Sequence, residues 1–252
     1  MSRISLVSWL KSQRAPARVP EVRRRRPRGL LPRLESLETR ALLNGGYVFA
    51  THDNPGAPVT GGATYGPLGV QGTFAVGTND RGQIVGNYGD ANYQTHSFLE
   101  TGNHFSDFND PQGGTTSDPA NFVFTGTVAF GVNNLDQVVG TYIPQAPNNV
   151  EHSFLLSGGK FLTIDPPGAA NQAGASYTTN LDVAENINDF GQIVGAFTDT
   201  NGVTHGYLLS HGHYTVLDDP HAAGYTNASG INDLGQIVGS YFDSSGVQHG
   251  FL

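Results

Sequence analysis

At residues 188–195 the chain reads NDFGQIVG, and the same motif returns three more times with small changes. The other copies are NDRGQIVG at 79–86, NNLDQVVG at 133–140 and NDLGQIVG at 232–239. Successive copies begin 54, 55 and 44 residues apart, a spacing typical of proteins in which each repeat is one supersecondary unit. The four copies of the motif therefore divide the repeat region of the 252-residue chain into four repeats.

Two further blocks follow each motif in a fixed order. The second block holds a histidine and reads THSFL at 95–99, EHSFL at 151–155, THGYL at 204–208 and QHGFL at 248–252. The third reads HFSDFNDP at 104–111, KFLTIDPPGA at 160–169 and HYTVLDDPHA at 213–222. Asn-Asp-x-Gly favours a tight turn, the apolar stretches favour short strands, and proline ends the last strand. The pattern predicts four antiparallel strands in each repeat.

The two ends of the repeat region suggest how the strands are arranged. The fourth repeat reaches Leu252 after its third strand, and residues 47–57 match the missing fourth block, with Phe49 aligned to Phe161 and Asp53 to Asp165. We therefore expect an all-β, four-bladed β-propeller of four-stranded blades, in which the N-terminal strand 47–57 completes the C-terminal blade. The alternative is an open stack of β-sheet repeats.

The repeat blocks resemble the family of probable extracellular repeats of the HAF type. Residues 230–239 (GINDLGQIVG) and 249–252 (HGFL) carry the closest similarity, which extends over 47–252. Asp136 departs from the pattern by replacing the turn glycine, and aspartate can adopt the left-handed conformation needed there. The resemblance implies an extracellular location and implies no activity.

Charge separates the chain into two parts. Residues 1–45 carry eleven basic residues and three acids, a net charge of +8, whereas the remaining 207 residues carry two basic residues and 18 acids, a net charge of −16. We expect 1–45 to be a disordered targeting segment and 46–252 to be the repeat domain, with repeats around 72–111, 126–169, 181–222 and 226–252. The acidic domain argues against nucleic acid as a partner, since it would repel phosphate.

The basic segment contains a second resemblance. Residues 32–44 (PRLESLETRALLN) resemble the Leu-Glu-x-Arg-x-Leu-Leu element near the N-termini of many planctomycete surface and exported proteins. The resemblance implies sorting to the cell surface or the exterior. No apolar run approaches the roughly 20 residues of a transmembrane helix, so we expect no membrane span.

The recurrent polar residues are interpreted as structural. They are the motif asparagines and the block histidines, Asn79, Asn133, Asn188, Asn232, His96, His152, His205 and His249. We expect each imidazole to bind a backbone group or a neighbouring blade's turn. The candidates for a metal site are His211, His213, Asp218 and Asp219. No cofactor is expected, although the Asn-Asp turns could supply oxygen ligands to calcium.

Long loops between the third block and the next motif are the candidate ligand-binding region, because loop variation on a rigid scaffold usually carries binding. Their candidate contact residues are Tyr65, Phe122, Phe124 and Tyr177. We predict an exported or cell-surface, monomeric, non-catalytic propeller that is a binding or structural module of unknown ligand, with a cell-surface polymer or protein as the candidate partner. The alternative is an extracellular glycosidase or lyase, for which Asp182 and Glu185 are the only close acidic pair on a first strand.

Overall fold

The computed structural model describes residues 50–57, 72–90, 94–115, 126–145, 150–170 and 182–252. All of these residues belong to one unit, Ala50–Leu252. The predicted boundary between residues 45 and 46 lies outside the described residues and stays a prediction. Within the described ranges, no helix is long and apolar enough to cross a membrane.

The described residues form strands in the repeated order that the blocks predict. The first repeat contains β1 (Gly72–Thr78), β2 (Ile84–Gly89), β3 (Thr95–Thr101) and β4 (His104–Phe108). The second contains β5 (Gly126–Val132), β6 (Val138–Ile143), β7 (His152–Ser157) and β8 (Lys160–Thr163). The third contains β9 (Asp182–Ile187), β10 (Ile193–Thr198), β11 (Thr204–Ser210) and β12 (His213–Leu217). The fourth contains β13 (Thr226–Ile231), β14 (Ile237–Phe242) and β15 (Gln248–Phe251).

The strands form three sheets, and neighbouring strands within a repeat are antiparallel. β1–β8 form one eight-stranded sheet, β9–β12 a four-stranded sheet and β13–β15 a three-stranded sheet. The first two repeats are joined by a single parallel pairing, between Thr95 of β3 and Gly126 of β5. This pairing makes the largest sheet a mixed one.

The prediction of an all-β chain of repeated strands is confirmed, but the four-bladed propeller is wrong. No sheet of the described residues closes on itself, and the first two repeats share one sheet instead of forming two separate blades. The sheets also differ from a simple open stack, because the bridge between Thr95 and Gly126 connects two repeats edge to edge.

The predicted closing strand 47–57 does not complete the last sheet. Residues 47–49 lie outside the described residues, and 50–57 contain no strand. This segment contacts the first repeat instead: the Asn54 N–H donates to Thr73 Oγ1 of β1 at 2.9 Å, and Asn54 Nδ2 donates to Asp107 Oδ1 of β4 at 2.8 Å.

Residues 50–57 bind β1 through the same contact that the end of the third block makes with the following repeat. The Asp110 N–H, after β4, donates to Thr127 Oγ1 of β5 at 2.8 Å. The residue before the block's proline therefore docks on the first strand of the following repeat, and Asn54 docks on β1 in the same way. The sequence match between 47–57 and the third block reflects this docking, and it does not require ring closure.

Apolar packing joins neighbouring repeats. One cluster places Val85 of the first repeat against Ala129 and Val138 of the second. Another places Val139 of the second repeat against Ala184 and Ile193 of the third. Burying an aliphatic side chain of this size contributes about 1.5–3 kcal/mol, so these contacts are a main source of cohesion between repeats.

The last glycine of the motif is required by a close approach of two strands. A Cβ at Gly140 would overlap the Val128 carbonyl oxygen and would lie 2.9 Å from Cε1 of Phe154, a fully buried ring. The equivalent Gly86, Gly195 and Gly239 lie equally close to their first strands. The motif keeps glycine here because no side chain fits between the strands.

The turn of the second motif contains a non-glycine residue with positive φ. Asp136 has a φ of 59°, where the equivalent Gly82, Gly191 and Gly235 have φ of 72°, 71° and 74°. Aspartate is one of the few residues that adopt this conformation at modest cost, so the turn is unchanged.

Candidate functional site

The motif asparagine organises each turn. Asn133 Oδ1 accepts the N–H groups of Leu135 and Gln137, both at 3.0 Å, and Asn133 Nδ2 donates to Gln137 Oε1 at 2.8 Å. Asn79, Asn188 and Asn232 make the same bonds in their own repeats. This arrangement caps the turn and explains why asparagine and glutamine recur four residues apart.

The same asparagines connect neighbouring repeats in a row that we call the asparagine ladder. Nδ2 of Asn79 donates to the Asn133 carbonyl at 2.9 Å, and Nδ2 of Asn133 donates to the Asn188 carbonyl at 3.0 Å. Nδ2 of Asn188 donates to the Asn232 carbonyl at 3.1 Å. Each amide therefore adds a second donor to a backbone carbonyl of the next repeat, which already accepts an N–H group of its own turn.

The residue after each asparagine forms a second row. The Asn134 N–H donates to Asp189 Oδ1 at 2.8 Å, and Asn134 Nδ2 donates to Asp189 Oδ2 at 2.6 Å and to Asp80 Oδ2 at 3.3 Å. The Asp189 N–H in turn donates to Asp233 Oδ1 at 2.9 Å. An aspartate at 134 would place a third carboxylate between two others, so the amide of Asn134 removes a like-charge contact.

The turns of all four repeats line one cleft of about 410 Å³, which is the candidate binding site. Its wall consists of 76–80, 130–134, 186–189 and 231–233, at the ends of the first strands. Three carboxylates, Asp80, Asp189 and Asp233, and the amide of Asn134 lie along this wall. The cleft is therefore polar and negatively charged.

The block histidines stack on an aromatic ring of the second strand in their own repeat. His96 stacks on Tyr88, His152 on Tyr142 and His249 on Tyr241, with ring centroids 5.0, 5.2 and 5.1 Å apart. His205 packs against Phe197 at 5.2 Å in a tilted arrangement. The imidazoles are thus part of the side-chain packing between the second and third strands.

Each stacked histidine of the first three repeats also contacts a polar side chain 13 residues later, at the end of the fourth strand. His152 Nδ1 lies 2.6 Å from Asp165 Oδ2, and His205 Nδ1 lies 2.8 Å from Asp218 Oδ2. His96 Nδ1 lies 3.1 Å from Asn109 Nδ2. The partner is a side chain of the same repeat, not the backbone or neighbouring turn that we expected. The structural interpretation of the histidines stays a prediction.

The structure does not gather the four candidate metal ligands. Asp218 binds His205, Asp219 binds His221, and His211 Nδ1 lies 3.0 Å from Ser210 Oγ. Within the described part of the chain, His213 included, no three His, Cys, Asp or Glu side chains are close enough to hold a metal ion. Calcium binding at the Asn-Asp turns stays a prediction.

Asp182, one of the two candidate catalytic acids, is fully buried and has a structural partner. Its Oδ1 accepts the Ser153 hydroxyl at 2.6 Å. In the other repeats the same strand position holds a threonine that accepts the N–H of the residue before proline. Before β9 the residue that precedes the block's last proline is Pro166, which has no N–H to donate. The strand position of Asp182 therefore needs no threonine hydroxyl as acceptor.

The second candidate acid, Glu185 of β9, lies near Glu151 of the second repeat and Asn227 of the fourth. Burial raises the pKa of Glu185, and Asn227 Nδ2 donates to its Oε1 at 3.4 Å. Burial also raises the pKa of Glu151 to about 7, and the nearby Glu185 charge adds to this effect. These carboxyl groups cost stability when they ionise inside the protein.

Glu151→Gln is expected to stabilise the protein at pH 8 by about 1–2 kcal/mol and to have little effect at pH 5. The pKa of Glu151 lies near 7 in the folded chain and at 4.5 ordinarily, so the folded state holds this proton more tightly. The parent therefore loses stability as the pH rises through this window, and the variant does not. Urea unfolding of both proteins at the two pH values measures this difference, and an equal effect at both would contradict it.

The four candidate ligand-binding aromatics, Tyr65, Phe122, Phe124 and Tyr177, lie outside the described residues. Their assignment to binding stays a prediction. The described residues instead identify the cleft beside the asparagine ladder, which sequence reasoning missed. The signal for it was present in the sequence: an asparagine and a glutamine at constant separation in all four repeats show that two side chains act together.

In comparisons with protein-family models, with curated proteins and with solved structures, nothing matches this chain.

Proposed function

We propose that this protein is a non-catalytic binding module of the cell surface or exterior, and that the cleft beside the asparagine ladder holds its ligand. The observation that carries the proposal is that one polar cleft is lined by equivalent turns from all four repeats. A wall of regularly repeated groups is suited to a ligand that itself repeats. The ligand class is therefore a hydroxyl-rich surface polymer.

The location rests on three features of the sequence. The repeats resemble extracellular repeats of the HAF type, the basic segment resembles a sorting element of exported proteins, and the repeat domain carries a net charge of −16. The acidic wall of the cleft favours hydroxyl donors over anionic ligands, which argues against nucleic acid.

The competing proposal, an extracellular glycosidase or lyase, has less support. It needs Asp182 and Glu185 as an exposed acid–base pair. Asp182 is fully buried and accepts the Ser153 hydroxyl, so it has no path to a substrate. Neutral polysaccharide binding without turnover is therefore the expected behaviour.

An array of neutral and acidic surface polysaccharides, probed with the full-length protein, tests the proposal. Asp80→Asn removes a carboxylate from the cleft wall and is expected to weaken binding at least several-fold. Asp243→Asn, the same change in a turn outside the cleft, is the matched control and should bind like the parent. Absence of binding to every polymer, or hydrolysis abolished by Asp182→Asn or Glu185→Gln, would overturn the proposal.

A further inference from the structure

The first repeat exposes an apolar face that is covered in the second repeat. On β1, Phe74 is 40% exposed and Val76 is 47% exposed. Val128 of β5, the equivalent of Phe74, is only 3% exposed, and its strand contacts β1, β2 and β3 of the first repeat. The first repeat therefore offers the surface that a preceding repeat would cover.

The fourth repeat exposes the complementary face. Val238 is 47% exposed, whereas the equivalent Val85, Val139 and Val194 are fully buried. Phe251 is half-buried, and with Leu217 and Leu252 it lines an apolar pocket of about 230 Å³. Its equivalents Phe98, Phe154 and Tyr207 are fully buried, and each packs edge to face with an aromatic ring of the fourth strand.

Among the described residues, no fourth strand pairs with the outer edge of β15. β3, β7 and β11 each pair with a fourth strand, but among the described residues β15 pairs only with β14. His249 contacts Asp243 through Nε2 at 3.1 Å, and its Nδ1 has no described counterpart of Asp165 or Asp218. The backbone edge of β15 and the Nδ1 atom of His249 thus both lack, among the described residues, the fourth strand that would pair with them.

The asparagine ladder has complementary ends. Within the described ranges, Asn232 Nδ2 donates to Gln236 Oε1 and makes no bond to a further repeat. At the other end, the Asn79 carbonyl accepts the Gly82 N–H of its own turn and, among the described residues, no asparagine side chain. One end offers the donor, and the other offers the acceptor, of the bond that joins each internal pair of repeats.

We propose that the β13–β15 sheet of one copy docks against the first repeat of a second copy, and that residues 50–53 of the second copy pair with β15 as its fourth strand. In the β7–β8 register Phe154 lies opposite Thr163, which places Phe251 opposite Thr51 and His249 opposite Asp53. Asp53 then places a carboxylate beside Nδ1 of His249, as Asp165 does at His152. Asn54 stays docked on its own β1, as the internal turns do.

This docking between copies uses the same contacts that join neighbouring repeats within one chain. It would bury Phe74 and Val76 of one copy against the fourth repeat of the other, and it would extend the asparagine ladder from Asn232 to Asn79. The two surfaces differ, so the contact is head-to-tail and can continue from copy to copy as an open filament. A surface-located module of this kind would form a linear array.

Single-cysteine variants of the full chain test the pairing, because the protein has no cysteine of its own. An equimolar mixture of Asp53→Cys and His249→Cys is expected to give a disulfide-linked dimer under mild oxidation, since directly opposite residues on paired strands lie about 5 Å apart between Cα atoms. Each variant alone should give at least several-fold less dimer. Ser245→Cys, exposed in the turn before β15, replaces His249→Cys in the matched control mixture.

The double variant Asp53→Cys/His249→Cys shows whether β15 pairs with residue 53 of a second copy or with residue 53 of its own chain. Head-to-tail docking predicts a ladder of covalent multimers on non-reducing gels. A single oxidised product of monomer size would overturn the proposal, because it would mean that a chain pairs with its own β15. Sedimentation equilibrium of the parent protein gives an independent result: mass rising with concentration supports docking, and a constant monomer mass overturns it.

Discussion

Asn133→Ala is expected to lower the free energy of unfolding by roughly 3 kcal/mol. The substitution removes the acceptor of the Leu135 and Gln137 N–H groups and the donor to Gln137 Oε1. It also takes one of two donors from the carbonyl of the buried Asn188, which keeps only the Gly191 N–H. Leaving buried polar groups unsatisfied costs more than the net value of the bonds they made. Urea unfolding followed by circular dichroism measures the loss.

Asn232→Ala is the matched control for this prediction. Asn232 caps its turn in the same way but is exposed, and within the described part of the chain it donates to no further repeat. Its replacement should cost about 1 kcal/mol or less, a typical value for an exposed side-chain cap. Equal losses for the two variants would show that the bond between repeats contributes nothing beyond the cap of the turn.

Gly140→Ala is expected to destabilise the protein by roughly 3 kcal/mol or more. The new Cβ would overlap the Val128 carbonyl oxygen, which belongs to the backbone of a paired strand and cannot rotate away. It would also press on the ring of Phe154, which is fully buried and has no room to move. The smaller gain from restricting the unfolded chain, about 0.4–1 kcal/mol, does not offset this clash.

Gly82→Ala separates the effect of packing from the effect of backbone conformation. Gly82 has a φ of 72° and open space around its Cα, so alanine there meets no atom within 4 Å. It should cost only about 1 kcal/mol, the price of the left-handed conformation. If Gly140→Ala lowered the free energy of unfolding no more than Gly82→Ala does, this result would contradict the close approach of β5 and β6 at Gly140.

The strands could be predicted from the sequence because their signals are local. Turn residues, alternating apolar residues and prolines recur at fixed places in every block, and each of them acts within a few residues of its own position. The turn at Asp136 shows how local this information is: the residue changes from glycine to aspartate, and the backbone conformation stays the same.

The propeller could not be decided from the same information. The similarity of 47–57 to the third block was interpreted as a strand that closes a ring. The same similarity is satisfied when Asn54 docks on Thr73 of β1, as Asp110 docks on Thr127 of β5. The similarity of 47–57 to the third block predicts that Asn54 docks on a first strand. It does not show whether the residues before Asn54 pair with the last sheet of the same chain.

The candidate site was only partly accessible to sequence reasoning. The asparagines were recognised as turn residues, but their bonds to the next repeat depend on how repeats pack, which no local pattern encodes. The histidine partners were accessible: His96 and Asn109, His152 and Asp165, and His205 and Asp218 are all 13 residues apart. A constant separation between two polar residues in successive repeats is a usable signal of contact.

Spin labels at residues 53 and 249 test the central claim, an open series of sheets whose first and last repeats do not close on one another. Labelled double-cysteine protein is mixed with a large excess of unlabelled protein, so that only distances within one chain are observed. The open series predicts no strong dipolar broadening between the labels. Broadening that corresponds to directly opposite cross-strand residues, about 5 Å between Cα atoms, would contradict it.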